Sequence, residues 1–188
     1  MALHTLHSEK LEVYFCTITC YKWLPLIQES NSYCSVYRWF KHLKSDGCSV
    51  LGYVILPNHF HVLLFLSHTG TGLNHLVGDC KRFMAYDIVN SLKRQGKESL
   101  LQQLQFGVQR KEKLKGKIHQ VFKSSFDAKQ CFNESMIEQK LEYIHHNPVK
   151  GKWKLADDFT DYAHSSAGFY ELGTGGAVDI RHYKDLNY

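Results

Sequence analysis

In the run ILPNHFHVLLFL, residues 55–66, two histidines stand one residue apart at the head of an apolar stretch. With 12 His in 188 residues, about 0.8 such His-x-His pairs arise by chance, so the spacing alone is weak evidence. Far downstream, SMIEQKLEYIHHNPVKGKW, residues 135–153, carries Tyr143 and Asn147 four residues apart, on one side of a helix. Two imidazoles and an amide oxygen make a half-open donor set for a divalent cation. Water and a substrate phosphate could complete it, and the ion would then polarise a phosphoryl oxygen. A phenolic hydroxyl ionises near pH ~10 in water, but a neighbouring cation and an aligned phosphate make it a usable nucleophile. Plainer roles exist for each group. Tyr143 also fits a core-edge aromatic, and Asn147 a helix C-cap before Pro148. His145 and His146 fit exposed polar residues at a helix end, although either could compete as a ligand.

The elements that must position these groups follow from periodicity. VYFCTITC, 13–20, alternates and is rich in β-branched and aromatic residues, as a strand is. Residues 31–47 place Tyr33, Val36, Tyr37 and Phe40 at helical spacing, with Asn31 as N-cap and Gly47 as stop. CSVLGYVIL, 48–56, and HFHVLLFL, 59–66, are apolar strands joined by Pro57-Asn58 turn chemistry. Along 71–96, Leu73, Leu76, Val77, Cys80, Met84, Ile88 and Leu92 trace one helical face. A polar Lys- and Gln-rich stretch follows over 97–117, then KIHQVFKSSF, 117–126, reads as a fourth strand. The order βαββαβ predicts an α+β, ferredoxin-like antiparallel sheet with two helices on one face. Strand alternation puts His59 and His61 on one face near the hairpin end. Ser135 and Glu138 match a capping box for a further helix ending before Pro148. That helix is free to lie across the open sheet face. The whole chain, 1–188, is expected to form one domain, with a core at about 10–150 and an extension over 151–188.

Charge is concentrated. Residues 81–117 carry ten Lys/Arg against three Asp/Glu, net +7, while 1–80 are neutral and 118–188 net −2. Such a stretch is either a solvated helix face with a Lys-rich loop or a phosphate-contacting surface. Its candidate contacts are Lys81, Arg82, Lys93, Arg94, Lys111, Lys113 and Lys115. None of the six cysteines forms a C-x-x-C pair. The spacings exclude a zinc knuckle and favour reduced, buried thiols. No apolar run approaches the ~20 residues of a membrane helix, and the start lacks a signal pattern. The expectation is a cytoplasmic protein with no membrane association.

ILPNHFHVLL followed by YIHHNPVKGKW resembles the single-tyrosine HUH transposases of insertion sequences, nearest to the REP-associated tyrosine transposase branch. CKRFMAYDI, 80–88, resembles that family's middle helix, and the similarity spans roughly residues 10–170. The combination of L-P-N-H-x-H with Y-I-H-x-N-P-V is the specific feature. The resemblance implies a ferredoxin-like fold with an added catalytic helix. It implies His59 and His61 as metal ligands, Tyr143 as nucleophile, and Asn147 at the position of a third, amide ligand. It implies Mg²⁺ or Mn²⁺ as cofactor and single-stranded or hairpin DNA as substrate. It further implies a 5′-phosphotyrosine intermediate, and a homodimer in the insertion-sequence members. Lys150-Gly151-Lys152 departs from the R-A-G that many relatives carry after N-P-V.

Rival readings make different demands. A non-catalytic DNA-binding descendant does not need the His59, His61 and Tyr143 set. A phosphodiesterase using water leaves Tyr143 without a task and lacks a carboxylate base in the motif. An RNA-binding ferredoxin-like domain should show stacking aromatics on its central strands, where HFHVLLFL has two His.

Overall fold

The computed structural model describes residues 12–66, 72–150 and 153–186. Its strands are β1 (Val13–Thr19), β2 (Ser49–Leu56), β3 (His59–Phe65) and β4 (Asp127–Cys131). They form one antiparallel sheet of order β2-β3-β1-β4, the arrangement of the split βαβ ferredoxin-like fold. Between the strands run α1 (Leu26–Glu29), α2 (Tyr33–Ser45), α3 (Leu73–Arg94), α4 (Glu98–Phe106) and α5 (Arg110–Lys113). After β4 come α6 (Glu134–His146) and α7 (Ala167–Leu172).

The two sheet faces are both covered, by different partners. On one face Ile18, Tyr53, Phe60, Val62 and Leu64 pack with the buried stripes of α2 and α3. On the other, Val13, Phe15, Val54 and Leu63 pack with Ile137, Leu141 and Ile144 of α6. Side-chain alternation therefore sends Phe60 and Val62 toward α2 and α3, and His59 and His61 toward α6. Helix α6 lies very close to β2. A Cβ built on Gly52 would come within 2.4 Å of Leu141 Cδ2, so any larger residue there has to displace the tip of Leu141.

Four local expectations are corrected. The fourth strand is Asp127–Cys131, not 117–126. The apolar pair Val121–Phe122 is buried by crossing the end of β1, where Phe122 makes an isolated bridge with Cys20. The true β4 is polar and largely exposed, as suits an outer strand. Within the stretch read as a polar connection, α4 forms and buries Leu101 and Leu104. The cap of α6 is Asn133, whose side chain accepts from Met136 N at 2.9 Å, two residues ahead of the Ser135–Glu138 box. Likewise α2 is preceded by Ser32 rather than Asn31 as N-cap, without a side-chain capping bond.

The C-terminal segment runs along the outer edge of β2. Ile55 N donates to His164 O at 2.8 Å, Ser166 N to Tyr53 O at 2.9 Å, and Arg181 N to Val50 O at 3.0 Å. That edge is thereby satisfied, leaving β4 as the outer strand on the other side. The cysteines are free thiols, with Cys34 exposed and the rest buried. Burial pushes Cys16 and Cys20 up to about 12. Among the described residues no helix is long and apolar enough to cross a membrane.

Candidate active site

The antiparallel register sets His59 opposite Thr19 and Leu56, and His61 opposite Thr17 and Val54. The two imidazole centroids are 4.8 Å apart and nearly perpendicular, at 87°. Each ring is held through Nδ1. His59 Nδ1 lies 2.6 Å from Asn58 Oδ1. Asn58 is itself oriented by donating Nδ2–H to Trp23 O at 3.2 Å. A carboxamide oxygen only accepts, so the His59 proton sits on Nδ1 and the lone pair on Nε2. His61 Nδ1 lies 2.9 Å from Thr17 Oγ1. Its Nε2 is buried and has no hydrogen-bond partner. Burial, with help from the Lys123 charge, pushes His59 down to about 4. Burial and the neighbouring His59 push His61 down to about 3. Both rings are therefore neutral near pH 7, the form that donates a lone pair.

An orphaned buried polar atom is uncommon, because it forfeits its hydration without replacement. Here the orphan is an imidazole nitrogen beside a second imidazole whose Nδ1 is already engaged. Holding the remote ring nitrogen of a histidine is how proteins orient metal ligands. The donor set thus fits a divalent cation. Among the described residues no third His, Cys, Asp or Glu completes a metal-holding group, so any further protein donor comes from another residue type.

Helix α6 brings Tyr143 to the pair. The Tyr143 ring is 5.4 Å from that of His61 at 73° and 6.0 Å from Phe15 at 82°. Phe15 stacks on His61 at 5.3 Å, and Lys140 Nζ lies 5.3 Å from the Phe15 centroid. Tyr143 remains half exposed, at 52%. Asn147 is the C-cap of α6 and opens the 3₁₀ turn Asn147–Val149. Leu141 and Ile144 lie over Gly52, which pairs with Leu63, while Tyr143 lies against His61. The helix thus advances toward the hairpin end, with Asn147 one turn beyond Tyr143. Its side chain makes no hydrogen bond to either imidazole. His145 and His146 are engaged elsewhere. His145 Nε2 lies 2.8 Å from Ser166 Oγ, and His146 stacks on Phe159 at 4.2 Å.

Sequence reasoning missed the supports. Phe15 and Thr17 lie on the same face of β1, two residues apart, and the register of β1 on β3 delivers them to His61. Asn58 was visible as the residue before His59 but read only as turn chemistry. Trp23 stands edge-to-face with His59 at 5.2 Å and 82°, and nothing in its sequence surroundings marks that contact.

The basic stretch is divided by the fold. A groove of about 660 Å³ between α3 and the segment 112–124 is lined by Lys81, Arg82, Lys93 and Lys115, joined by Lys117 and Lys123. Lys81 also donates to Ser124 O at 2.9 Å, tying that segment to α3. Burial, with the nearby Lys117 charge, lowers its pKa. Arg82 pairs with Asp79 at 3.0 Å. Arg94, Lys111 and Lys113 are exposed and do not line the groove.

No family model and no curated protein matches the chain. A solved structure of a REP-associated tyrosine transposase bound to a REP hairpin matches over 100% of both chains, at 15% identity and TM-score 0.55. A crystal structure of a protein assigned as a transposase from Deinococcus radiodurans R1 covers 78% of this chain and 97% of its own, at 18% identity and TM-score 0.44. The chain has the fold of the first of these.

Proposed function

We propose that the chain is a metal-dependent endonuclease and strand transferase acting on single-stranded or hairpin DNA, with Tyr143 as the nucleophile. One observation carries this reading. A half-exposed tyrosine on α6 meets a buried imidazole whose Nε2 has no partner. The fold likeness to a protein solved on a REP hairpin and the basic groove beside the site support DNA as the substrate class.

In this reading His59 and His61, each through Nε2, would hold Mg²⁺ or Mn²⁺, with the Asn147 amide oxygen as the third protein donor. When bound, the cation supplies Lewis-acid polarisation of the scissile phosphoryl group. Asn58 and Thr17 hold the imidazoles in the ligating orientation. Tyr143 Oη attacks the phosphorus and the bond from phosphorus to the 3′ oxygen breaks. The phenolic proton is released to solvent, and the departing 3′ oxygen takes up a proton. The products are a 5′-phosphotyrosine and a free 3′-OH. Because the phosphotyrosine is still a diester, a 3′-OH can attack it, restore a DNA linkage and free Tyr143 without external energy. Phe15 packs against both His61 and Tyr143, which ties the position of the nucleophile to that of the ligand. A phosphodiesterase using water would instead need a base, and neither LPNHFH nor YIHHNPV contains a carboxylate.

The test is a denaturing gel with labelled, hairpin-containing single strands and Mn²⁺. The native chain should give a covalent protein–DNA adduct. Tyr143→Phe should abolish the adduct and cleavage while retaining DNA and metal binding. Asn147→Ala should weaken cleavage less, since water can replace an amide oxygen. An adduct that persists in Tyr143→Phe would assign the nucleophile elsewhere. Cleavage with no adduct under any condition would favour water.

A further inference from the structure

Trp23 is not used by the chemistry above, yet it occupies a place that needs an account. It follows Lys22, and both residues have left-handed backbone, with φ of 59° and 50°. Neither is glycine, so the chain holds two unfavourable conformations in succession. The result is an indole that is 49% exposed and edge-to-face with His59 at 5.2 Å. The Trp23 carbonyl takes the Asn58 Nδ2–H bond, which fixes the turn against the same asparagine that orients His59. Lys123 Nζ sits 4.4 Å from the centre of the indole ring. Lys123 is pinned there by its own backbone, whose N–H donates to Thr19 O at 2.9 Å. Lys123 also lines the basic groove, beside Lys93, Lys115, Lys117 and the exposed Tyr86. One lysine therefore joins the groove to the indole, and the indole joins it to His59.

A cation over a tryptophan is a common way to stabilise a turn. That role alone does not need a strained backbone that leaves half the indole open next to a neutral imidazole pair. Aromatic faces set among cations are how proteins hold single strands, each base on a ring and each phosphate on a charge. We infer that Trp23 is a stacking platform for the nucleobase beside the phosphate presented to His59 and His61, that Lys123 pairs with the adjoining phosphate, and that the strand continues along the α3 groove. The inference rests on the reading of the site as one for single-stranded DNA. It adds the subsite that sets the strand's position there.

Equilibrium binding tests it separately from cleavage. The full chain is titrated with a twelve-nucleotide oligothymidylate, without metal, following both tryptophan emission and salt dependence. Trp39 is buried and Trp153 lies elsewhere in the chain, so stacking on Trp23 should quench emission. Trp23→Leu should remove the quench and weaken binding roughly tenfold, within the range measured for single base–aromatic stacks. Trp23→Phe, which keeps a flat face, should retain most of the affinity. Lys123→Gln should lower the salt slope by roughly 0.7. Equal affinity of the native chain and Trp23→Leu, with the covalent adduct still formed on hairpin substrate, overturns the platform and leaves the Tyr143 reading standing. Absence of single-strand binding by the native chain overturns the platform, and absence of the covalent adduct on hairpin substrate as well overturns both. Tighter binding of oligouridylate than of oligothymidylate overturns the assignment to DNA.

Discussion

Thr17→Val is the most informative single change for the imidazole pair. It preserves the shape of the side chain on β1 and deletes one bond, that between Thr17 Oγ1 and His61 Nδ1 at 2.9 Å. In the metal-bound state the His61 proton must sit on Nδ1, leaving Nε2 to donate. In the native chain the threonine hydroxyl accepts that proton. In the variant the N–H faces a methyl group in a site only 4% exposed. The metal-free ring is affected less, because its proton can move to either nitrogen and the native chain already leaves one nitrogen without a partner. The loss therefore falls mainly on the bound state. A neutral buried hydrogen bond contributes about 0.5–1.5 kcal/mol net, and polarisation of the ring by a cation raises this. Roughly tenfold weaker Mn²⁺ binding is expected, the lower end of the roughly 10- to 100-fold cost of removing a ligand's supporting partner. Isothermal calorimetry with Mn²⁺ and no DNA measures it, alongside thermal melting of the metal-free protein. Native-like affinity in Thr17→Val, with His61→Ala still abolishing binding, would refute the argument that Thr17 sets the ligand's proton. Native-like affinity in His61→Ala would remove His61 from the donor set altogether.

Other expectations follow from the packing and the charge. Gly52→Ala drives a Cβ to 2.4 Å from Leu141 Cδ2 and should cost ~1–3 kcal/mol as an overpacked core does. A thermal midpoint equal to native would mean that Leu141 yields freely and that α6 does not depend on this contact. Neutralising Lys93 and Lys115, which line the groove, should lower the salt slope of single-strand binding by about 1.4 if each meets one phosphate. The same exchange at Lys111 and Lys113 should change it less, and equal effects would count against the groove as the path. Self-association is expected through β4, since the β2 edge is taken by the C-terminal segment and Asp127–Cys131 is the outer strand. Sedimentation that finds only monomer at high concentration would dismiss that contact.

Most of the sheet was legible because three of its strands, the two central ones and β2, are apolar and two of them flank a known hairpin signal. Val13–Thr19, Ser49–Leu56 and His59–Phe65 fall within a residue or so of the boundaries their composition implies. The outer strand was not legible, and the reason is physical. An edge strand with one solvated face has no hydrophobic pattern to declare it, so DAKQC is outweighed by the neighbouring VF pair. That pair is apolar because it closes the end of the sheet and not because it lies in a ladder. Helix α4 escaped for a similar reason, since Leu101 and Leu104 are too few to mark a stripe among glutamines. At the site, the grouping of His59, His61 and Tyr143 came from the family resemblance and not from spacing alone, while β-strand alternation correctly placed both imidazoles on one face. Their supports could not. Thr17 and Phe15 acquire meaning only through the register of β1 on β3, and Trp23 and Lys123 meet only because the segment after α5 returns to the end of β1.

The orphaned Nε2 of His61 also sets function against stability in a way that can be measured. A buried polar atom without a partner costs ~1–3 kcal/mol, and a fold selected for stability alone would place leucine there, as it does two residues on at Leu63. His61→Leu should therefore leave the metal-free protein at least as stable as native, because it removes the orphan, and Thr17 is exposed enough to find water. The native chain should respond to metal where the variant does not. At a free Mn²⁺ concentration a hundred times its dissociation constant, binding to the folded state alone stabilises by about 2.7 kcal/mol, readily seen as a rise in melting temperature. The two measurements have opposite signs, which separates a ligand from a packing residue. If His61→Leu melts well below the metal-free native protein, the imidazole is holding the core through a contact other than the one to Thr17. The unpartnered Nε2 would then be incidental. If it melts at or above native and loses the response to Mn²⁺, the cost carried at His61 is explained by the metal it serves.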